Sequence, residues 1–177
     1  MARFYGVPFR SSNTTASAVA DAQSAYESEM SIWGTVMGHT NLVLHAAGWL
    51  EGGLTASFEK LILDAEMLQL IASVLEPIEV NESTLAFEAV KEVGPGGHFF
   101  GAADTLERYE TAFYAPLVSD WRNFETWEED GSKTATERAN GIWKQLLADY
   151  EKPPIDQAIE EELQAYMAKR KEDISGA

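Results

Sequence analysis

One apolar run, followed by a glycine-rich polar loop and a long amphipathic stretch, organises the pattern of this chain. Leu42–Leu44 consists of three consecutive apolar residues, which predicts a short strand that is buried on both faces. The loop after it carries His45, Trp49 and Glu51 between glycines that interrupt regular structure. A helix is then predicted to begin at Phe58. Together these segments predict one βα unit with a titratable residue at the end of its strand.

Apolar residues three or four positions apart predict a long helix over Phe58–Leu75. Thr55 or Ser57 can cap its amino end, and Pro77 closes it. We expect the apolar positions of this helix to form one wide stripe that faces the core: Phe58, Leu61, Ile62, Ala65, Leu68, Ile71, Ala72 and Leu75.

The same spacing, together with capping residues, predicts further helices in the rest of the chain. These helices cover Ala16–Met37, a short stretch capped by Asn81 or Ser83, a stretch through Tyr109 capped by Asp104 or Thr105, Thr134–Tyr150 and Asp156–Arg170. The residues after this last helix are predicted to be frayed.

The alternation of strand and helix predicts an α/β fold that is rich in helix. Arg3–Phe9 is largely apolar and is interpreted as extended, although Pro8 makes it a poor central strand. We expect its Phe4–Phe9 part to lie beside Leu42–Leu44 or one strand away from it. We also expect two or three short parallel strands, no antiparallel sheet, and five or more helices.

The end of the predicted strand brings two titratable residues to the edge of the sheet where α/β proteins bind their ligands. His45 follows the strand directly, and Glu51 lies in the loop after it. We interpret both as candidate catalytic residues. The alternative interpretation is that His45 is a hydrogen-bonded structural residue and that Glu51 is a solvated loop acid.

A second glycine-rich loop, Gly94–Gly101, is a candidate for the same face of the sheet. Its glycines allow close approach of the backbone, but it lacks the lysine and hydroxyl residues of a phosphate-binding loop, so the pattern disfavours nucleotide binding. His98 and Phe99 are predicted to form a short strand or a loop that lines the same face as His45, as candidate substrate-binding residues. The aromatic-rich stretch Phe113–Trp127 is interpreted as packing.

Composition and charge exclude several classes of protein, ligand and site. A chain of 177 residues with 45% hydrophobic residues is long enough for one domain with a core. The formal net charge of −16 disfavours nucleic acid and anionic membranes, which would be repelled. The absence of cysteine excludes disulfides, thiolate metal sites and cysteine nucleophiles. No apolar run reaches the length of a membrane span and no signal peptide pattern is present, so we expect a cytoplasmic protein.

Five motifs spread along the chain resemble the trimethylamine methyltransferase family: Asn41–Leu54, Gly94–Phe99, Trp121–Gly131, Glu137–Asn140 and Pro153–Asp156. The resemblance extends over essentially all 177 residues and matches only the C-terminal part of the family's chain. It implies that residues 1–152 form part of a (β/α)8 TIM barrel and that residues 153–177 are the C-terminal helix and tail of the same domain. It also implies an enzyme that moves a methyl group from a methylated amine to the cobalt of a corrinoid (cobalamin), which a separate corrinoid protein carries.

The founding members of this family carry pyrrolysine in the region that matches Phe9–Thr15. Every residue of this stretch in the present chain is an ordinary one. The resemblance therefore implies a pyrrolysine-free member that acts on a quaternary amine such as glycine betaine. A quaternary ammonium already contains a neutral amine as its leaving group, so methyl transfer requires orientation and desolvation more than acid–base catalysis.

A betaine-like substrate gives the candidate residues distinct roles. The aromatic faces of Trp49 and Phe99 would hold the trimethylammonium group. Arg10 and His45 would both bind the carboxylate, Arg10 through its forked guanidinium. Glu51 would balance the positive charge of the substrate.

Two alternative functions remain open. The first is a demethylase of the same fold that uses tetrahydrofolate directly. The second is a catalytically incomplete fragment that acts only in assembly or docking, because a site at the mouth of a barrel draws on all eight βα loops. A partial barrel would also leave strand edges and apolar surface uncovered, so we expect a homo-oligomer and an inactive isolated fragment.

Overall fold

Capping residues and apolar spacing produce nine α-helices in the part of the chain that the computed structural model describes, residues 1–176. The helices are α1 Ala2–Tyr5, α2 Ala22–Met37, α3 Phe58–Leu75, α4 Glu82–Leu85, α5 Phe87–Val93, α6 Ala103–Arg108, α7 Phe124–Glu129, α8 Ala135–Ala148 and α9 Gln157–Ser175. The strands are β1 Arg10–Ser12, β2 Leu42–Leu44, β3 Trp49–Leu50 and β4 Thr55–Ala56. The predicted helix-rich α/β character with few short strands is confirmed.

The strand β2 pairs in parallel with β1, in a register that sets Arg10 opposite Leu42 and Ser12 opposite Leu44. The prediction that Phe4–Phe9 is the neighbouring extended segment is wrong, because the chain forms the short helix α1 and then turns at Gly6 in a left-handed conformation. Pro8 has no N–H for a strand ladder. The predicted parallel neighbour of β2 therefore exists, but it begins at Arg10.

The prediction that β2 is buried on both faces is also wrong. Leu42 is 55% exposed and Leu44 is 38% exposed. Leu42 and Leu44 lie on one face of the sheet of β1 and β2, which the described residues leave largely uncovered, whereas Val43 on the other face is half-buried. An apolar run shows that a strand is suited to burial, but its actual burial depends on the elements that pack against it.

An antiparallel pair, which the sequence prediction excluded, lies in the connection between β2 and α3. Trp49 pairs with Ala56, and Leu50 pairs with Thr55. The chain reverses between them through a short 3-10 turn, Glu51–Gly53, whose residues all have positive φ. The ribbon is confined to this loop, so the order of strand, loop and helix is as predicted.

The helix α3 matches its predicted bounds but not its predicted buried face. Ser57 caps it as expected, since its hydroxyl accepts a hydrogen bond of 3.2 Å from the Lys60 N–H. Phe58, which was predicted to face the core, is exposed, as are Leu61 and Leu75. The buried positions of α3 are Lys60, Ile62, Asp64, Glu66 and Ile71. Three of these side chains carry charge, and each has hydrogen-bonding partners in the interior.

Capping side chains account for most helix starts, including one that differs from the predicted start. Asp21 caps α2 in a capping box, so this helix begins after the predicted Ala16. Asn81 caps α4 as predicted, and a left-handed Ala86 then separates α4 from α5. Helix α6 begins at Ala103, before the predicted caps, and α9 extends to Ser175, which overturns the predicted fraying up to that residue.

Two compact units divide the chain after Lys144. The first contains a small apolar core of Ile62, Val118 and Ala139, against which Leu63, Ile142 and Trp143 pack. In the second, Asp156 caps α9 and the Lys152 side chain bonds Glu160 of this helix. No helix within residues 1–176 combines the length and the apolar character that crossing a membrane requires.

Candidate functional site

Two of the predicted site residues, His45 and Trp49, are in contact. Their rings meet edge to face, with centroids 5.1 Å apart and an interplanar angle of 87°. His45 directly follows β2 and has a left-handed conformation, with φ of 51°, which non-glycine residues rarely adopt. This backbone conformation turns the chain toward the β3–β4 ribbon and leaves the imidazole exposed. Such strain is often found at ligand sites.

Glu51 lies in the turn of the ribbon and also has a left-handed backbone, with φ of 52°. The Thr55 hydroxyl donates a hydrogen bond of 2.7 Å to its Oε2. Its backbone N–H donates to the Ser17 carbonyl at 2.9 Å, and the Gly52 N–H donates to the Thr15 carbonyl at 2.7 Å. The turn that presents Glu51 is therefore fastened to the segment that follows β1.

A small cavity of about 220 Å³ adjoins the Trp49 ring. Its lining is formed by Ala47, Gly48, Trp49, Ala56, Ser57, Phe58 and Leu61. These residues are mostly apolar, and two of them supply aromatic rings. An apolar recess with aromatic walls suits a trimethylammonium group, which makes favourable contacts with ring faces and needs no hydrogen-bond acceptor.

A carboxylate that the sequence prediction missed lies close to this aromatic wall. Phe58 stacks on Trp143, with ring centroids 4.9 Å apart and 27° between the ring planes. The Glu59 Oε1 accepts hydrogen bonds from Asn140 Nδ2 at 2.6 Å and from Trp143 Nε1 at 2.8 Å. These hydrogen bonds lower the pKa of Glu59 from 4.5 to about 2, and the bond from Asn140 has the largest effect. Glu59 therefore stays ionised over the whole physiological range of pH.

Arg10 does not lie where its predicted role assumed. The register pairs it with Leu42 at the amino end of β2, whereas His45 follows the carboxyl end. Three positions along a strand correspond to about 10 Å. The residue level with His45 is Asn13, so the premise that Arg10 and His45 sit at matching ends of the sheet is wrong. Arg10 is exposed.

His98 and Phe99 lie in an irregular loop, not in a strand. The His98 ring contacts the Phe100 ring at 5.6 Å, and both rings are exposed. Within residues 1–176 no ring contact joins this loop to His45 or Trp49. A common cavity for the two loops stays a prediction.

A buried polar network beneath the His45 loop was also missed by the sequence prediction. Asp64 accepts a hydrogen bond of 2.9 Å from the Gly48 N–H and pairs with Lys60, which donates to the Ser28 hydroxyl at 2.7 Å. All three side chains are almost completely buried. The spacing of Lys60 and Asp64, a pair of opposite charges four positions apart on a helix, is the signal that could have identified the pair.

Asn13 ties the ends of the two parallel strands together. Its Nδ2 donates to the Ala46 carbonyl at 2.8 Å, directly after His45. Asn13 and Thr15 are fully or almost fully buried, and the Asn13 Oδ1 and the Thr15 Oγ1 have no hydrogen-bond partner among the described residues. The loop that carries His45 and Trp49 is thus held from β1 on one side and from α3 on the other.

The motif Trp121–Gly131 forms a separate polar cluster at the surface. Arg122 donates to Asp120 at 2.7 Å and also pairs with Asp130. The hydrogen bonds that Asp120 accepts from Arg122 hold the pKa of Asp120 well below its usual range. Within residues 1–176 no three His, Asp or Glu side chains group closely enough to hold a metal ion.

Comparison with known proteins agrees with the motifs. A family described as "Trimethylamine methyltransferase (MTTB)" matches residues 1–175. The glycine betaine methyltransferase of Desulfitobacterium hafniense strain Y51 is 37% identical over 175 residues, which are 98% of this chain and 36% of that protein. The trimethylamine methyltransferase MttB2 of Methanosarcina mazei is 31% identical over 172 residues, 96% of this chain and 34% of that protein.

A third relative, the trimethylamine methyltransferase MttB1 of Methanosarcina acetivorans, is 32% identical over 168 residues, 93% of this chain and 33% of that protein. The chain therefore spans only about a third of the length of these relatives. Because the family match extends over nearly the whole sequence, the chain belongs to the trimethylamine methyltransferase family.

Proposed function

We propose that this chain is part of a methyltransferase that takes a methyl group from a quaternary amine such as glycine betaine and passes it to a corrinoid protein. Family membership and a relative named glycine betaine methyltransferase support the reaction class. The observation that carries the substrate class is the apolar cavity beside Trp49, together with the contact between the Trp49 ring and the His45 ring. The cavity offers aromatic faces to a cation, and His45 offers a donor to a carboxylate.

The residues of the site bind and orient the substrate. In the proposal Trp49 contacts the trimethylammonium group, a contact worth about 0.5–2 kcal/mol depending on its desolvation. His45 donates to the carboxylate, and Glu51, which is fixed by Thr55, balances the positive charge. When the corrinoid is brought to the site by its own protein, it supplies the Co(I) nucleophile for the methyl group. The pair of electrons of the broken C–N bond stays on nitrogen, so no residue has to donate a proton to the leaving amine.

Arg10, His98 and Phe99 complete the proposed site from other segments. Arg10 would reach the carboxylate only with its side chain extended along the strand, because the register places it at the amino end of β1. Phe99 would supply a second aromatic face, and His98 a polar group, from the Gly94–Gly101 loop. Both are exposed and accessible in this structure.

The architecture that we propose is a section of a (β/α)8 barrel, with residues 1–152 contributing β1, β2 and the surrounding helices and residues 153–177 the C-terminal helix and tail. The parallel pairing of β1 with β2 and the helix α3 after the β2 loop support this. The exposure of Leu42 and Leu44 fits a partial barrel, in which further elements would cover this face of the sheet. Cytoplasmic location and homo-oligomerisation are part of the same proposal.

A role in assembly alone is the second candidate, and the exposed face of β2 that carries Leu42 and Leu44 favours it. The two candidates differ in ligand binding. Calorimetric titration of the full-length native protein with glycine betaine, dimethylglycine and choline separates them. We expect glycine betaine to bind more tightly than dimethylglycine, which lacks the permanent cation, and more tightly than choline, which lacks the carboxylate. Equal or absent binding of all three would refute the betaine proposal.

A further inference from the structure

We propose that Asp64, a buried residue of α3, is a positioning residue that holds the Gly48–Trp49 segment against α3 and so shapes the aromatic wall of the ligand cavity. This inference rests on the proposed function, because it assigns Asp64 to the site at which Trp49 contacts the substrate. Asp64 does not line the cavity beside Trp49 and would act only through Gly48.

Both carboxylate oxygens of Asp64 have a partner. Oδ2 accepts the Gly48 N–H at 2.9 Å, and Oδ1 pairs with Lys60. Lys60 is 1% exposed and also donates to the Ser28 hydroxyl at 2.7 Å. A buried ion pair is retained only where its members are well hydrogen-bonded, and it contributes little net stability over an apolar pair of similar shape. The network therefore needs an explanation other than stability.

Gly48 is the point at which α3 and the site loop touch. Its N–H is bonded to Asp64, and its carbonyl accepts from the Ser57 N–H at 2.9 Å, so both of its backbone groups are held by α3 or its cap. A Cβ at Gly48 would lie 3.3 Å from the Leu61 Cβ, which shows how closely the loop lies on the helix. Trp49 follows directly, and its position depends on this contact.

The same helix contains a matched control. Glu66 lies two positions after Asp64 and is equally buried, but it accepts from the backbone N–H groups of Val118 and Ser119 in a different segment. Helix α3 thus uses one buried carboxylate for the site loop and another for the segment before α7. Substitution of Glu66 tests the loss of a buried carboxylate without a change at Gly48.

Two double variants of the full-length native protein separate positioning from stability. Both Lys60→Met/Asp64→Asn and Lys60→Met/Asp64→Leu remove the ion pair, but only the first retains a side-chain oxygen that can accept the Gly48 N–H. We expect the Asn variant to bind glycine betaine as the wild type does. We expect the Leu variant to bind at least about tenfold more weakly and to exchange the amide hydrogens of residues 46–50 faster.

The measurements are calorimetric titration with glycine betaine and hydrogen exchange read by mass spectrometry, with Glu66→Gln as control. Wild-type affinity in the Leu variant would overturn the inference, as would an equal loss of affinity in Glu66→Gln. If the wild type itself does not bind glycine betaine, the proposed function fails, and hydrogen exchange alone then decides the positioning. Faster exchange at residues 46–50 in the Leu variant only would support it, and unchanged exchange would overturn it.

Discussion

The His45 ring lies edge-on to the Trp49 ring, with the ring centroids 5.1 Å apart, although four residues of irregular chain separate the end of β2 from β3. The contact joins a polar donor to an aromatic wall at the carboxyl end of a parallel strand pair. That end of a sheet is where α/β proteins bind ligands. A zwitterion with a carboxylate at one end and a trimethylammonium group at the other matches both members of this pair.

Removal of the imidazole should weaken binding of a betaine-like ligand without unfolding the protein. We expect His45→Ala to reduce the affinity for glycine betaine by about 1–3 kcal/mol, the effect of leaving a charged acceptor without its donor. His39→Ala is a matched control, because His39 is also exposed and also has a left-handed backbone. Calorimetric titration measures both. Equal affinity of His45→Ala and the wild type would return His45 to a purely structural role.

The contribution of Arg10 can be measured against that of His45. If both residues bind one carboxylate, Arg10→Ala should weaken binding of glycine betaine, and the double variant should be non-additive with His45→Ala. The register makes this a demanding test, because Arg10 sits three positions from the level of His45. Unchanged affinity of Arg10→Ala in the same titration would exclude Arg10 from the site.

The backbone of the site loop can be tested at two glycines of similar conformation. Gly48 has φ of 86° and Gly52 has φ of 67°. A Cβ at Gly48 would meet Leu61 at 3.3 Å, whereas a Cβ at Gly52 would meet nothing within 4 Å. Both substitutions by Ala carry the cost of a left-handed residue, about 1 kcal/mol, and Gly48→Ala carries an added steric cost. We expect chemical denaturation to show a larger loss of stability for Gly48→Ala. Equal losses would contradict the close packing of Gly48 on α3.

The Glu59 carboxylate should give a pH-dependent contribution to stability. In the folded protein its pKa is lowered from 4.5 to about 2, and the hydrogen bond from the Asn140 side chain is the largest cause. A group with a depressed pKa stabilises the fold fully above its unfolded pKa and loses that contribution as pH falls through its folded pKa. The difference in Tm between wild type and Asn140→Ala should therefore be largest near neutral pH and shrink as the pH falls from 4.5 toward 2. Gln145→Ala, an exposed amide on the same helix, should show no such trend.

Features set by a few neighbouring residues were predictable from the sequence. Ser57 and Asn81 cap the helices that they were expected to cap, because a cap depends only on one side chain and the N–H groups two or three residues later. The proximity of His45 and Trp49 was predictable for the same reason, since the two residues are only four positions apart in the chain. The positions of Arg10, His98 and Phe99 depend on register and on a distant loop, which no local pattern specifies.

Burial was the property that sequence patterns predicted least well. Phe58 and Leu61 occupy apolar positions of α3 and are exposed, while Lys60 and Asp64 are buried. The pattern assigns charged residues to solvent, but a pair four positions apart on a helix can satisfy its own charges and enter the interior with a third partner such as Ser28. The apolar positions remain exposed because the described residues include nothing that covers them.

The uncovered strand pair leads to a prediction about association. Leu42 and Leu44 expose apolar side chains on one face of a two-stranded sheet, and the outer edges of this sheet are unpaired among the described residues. Exposed apolar strands with open edges tend to pair with other chains. We expect the isolated 177-residue chain to self-associate, and we expect Leu42→Asp/Leu44→Asp to shift it toward the monomer. Leu54→Asp is the control, because Leu54 is also exposed but lies in the turn of the β3–β4 ribbon. Sedimentation velocity measures the distribution for all three proteins. A monomeric wild type, or dissociation by Leu54→Asp to the same extent, would show that the β2 face is not the contact.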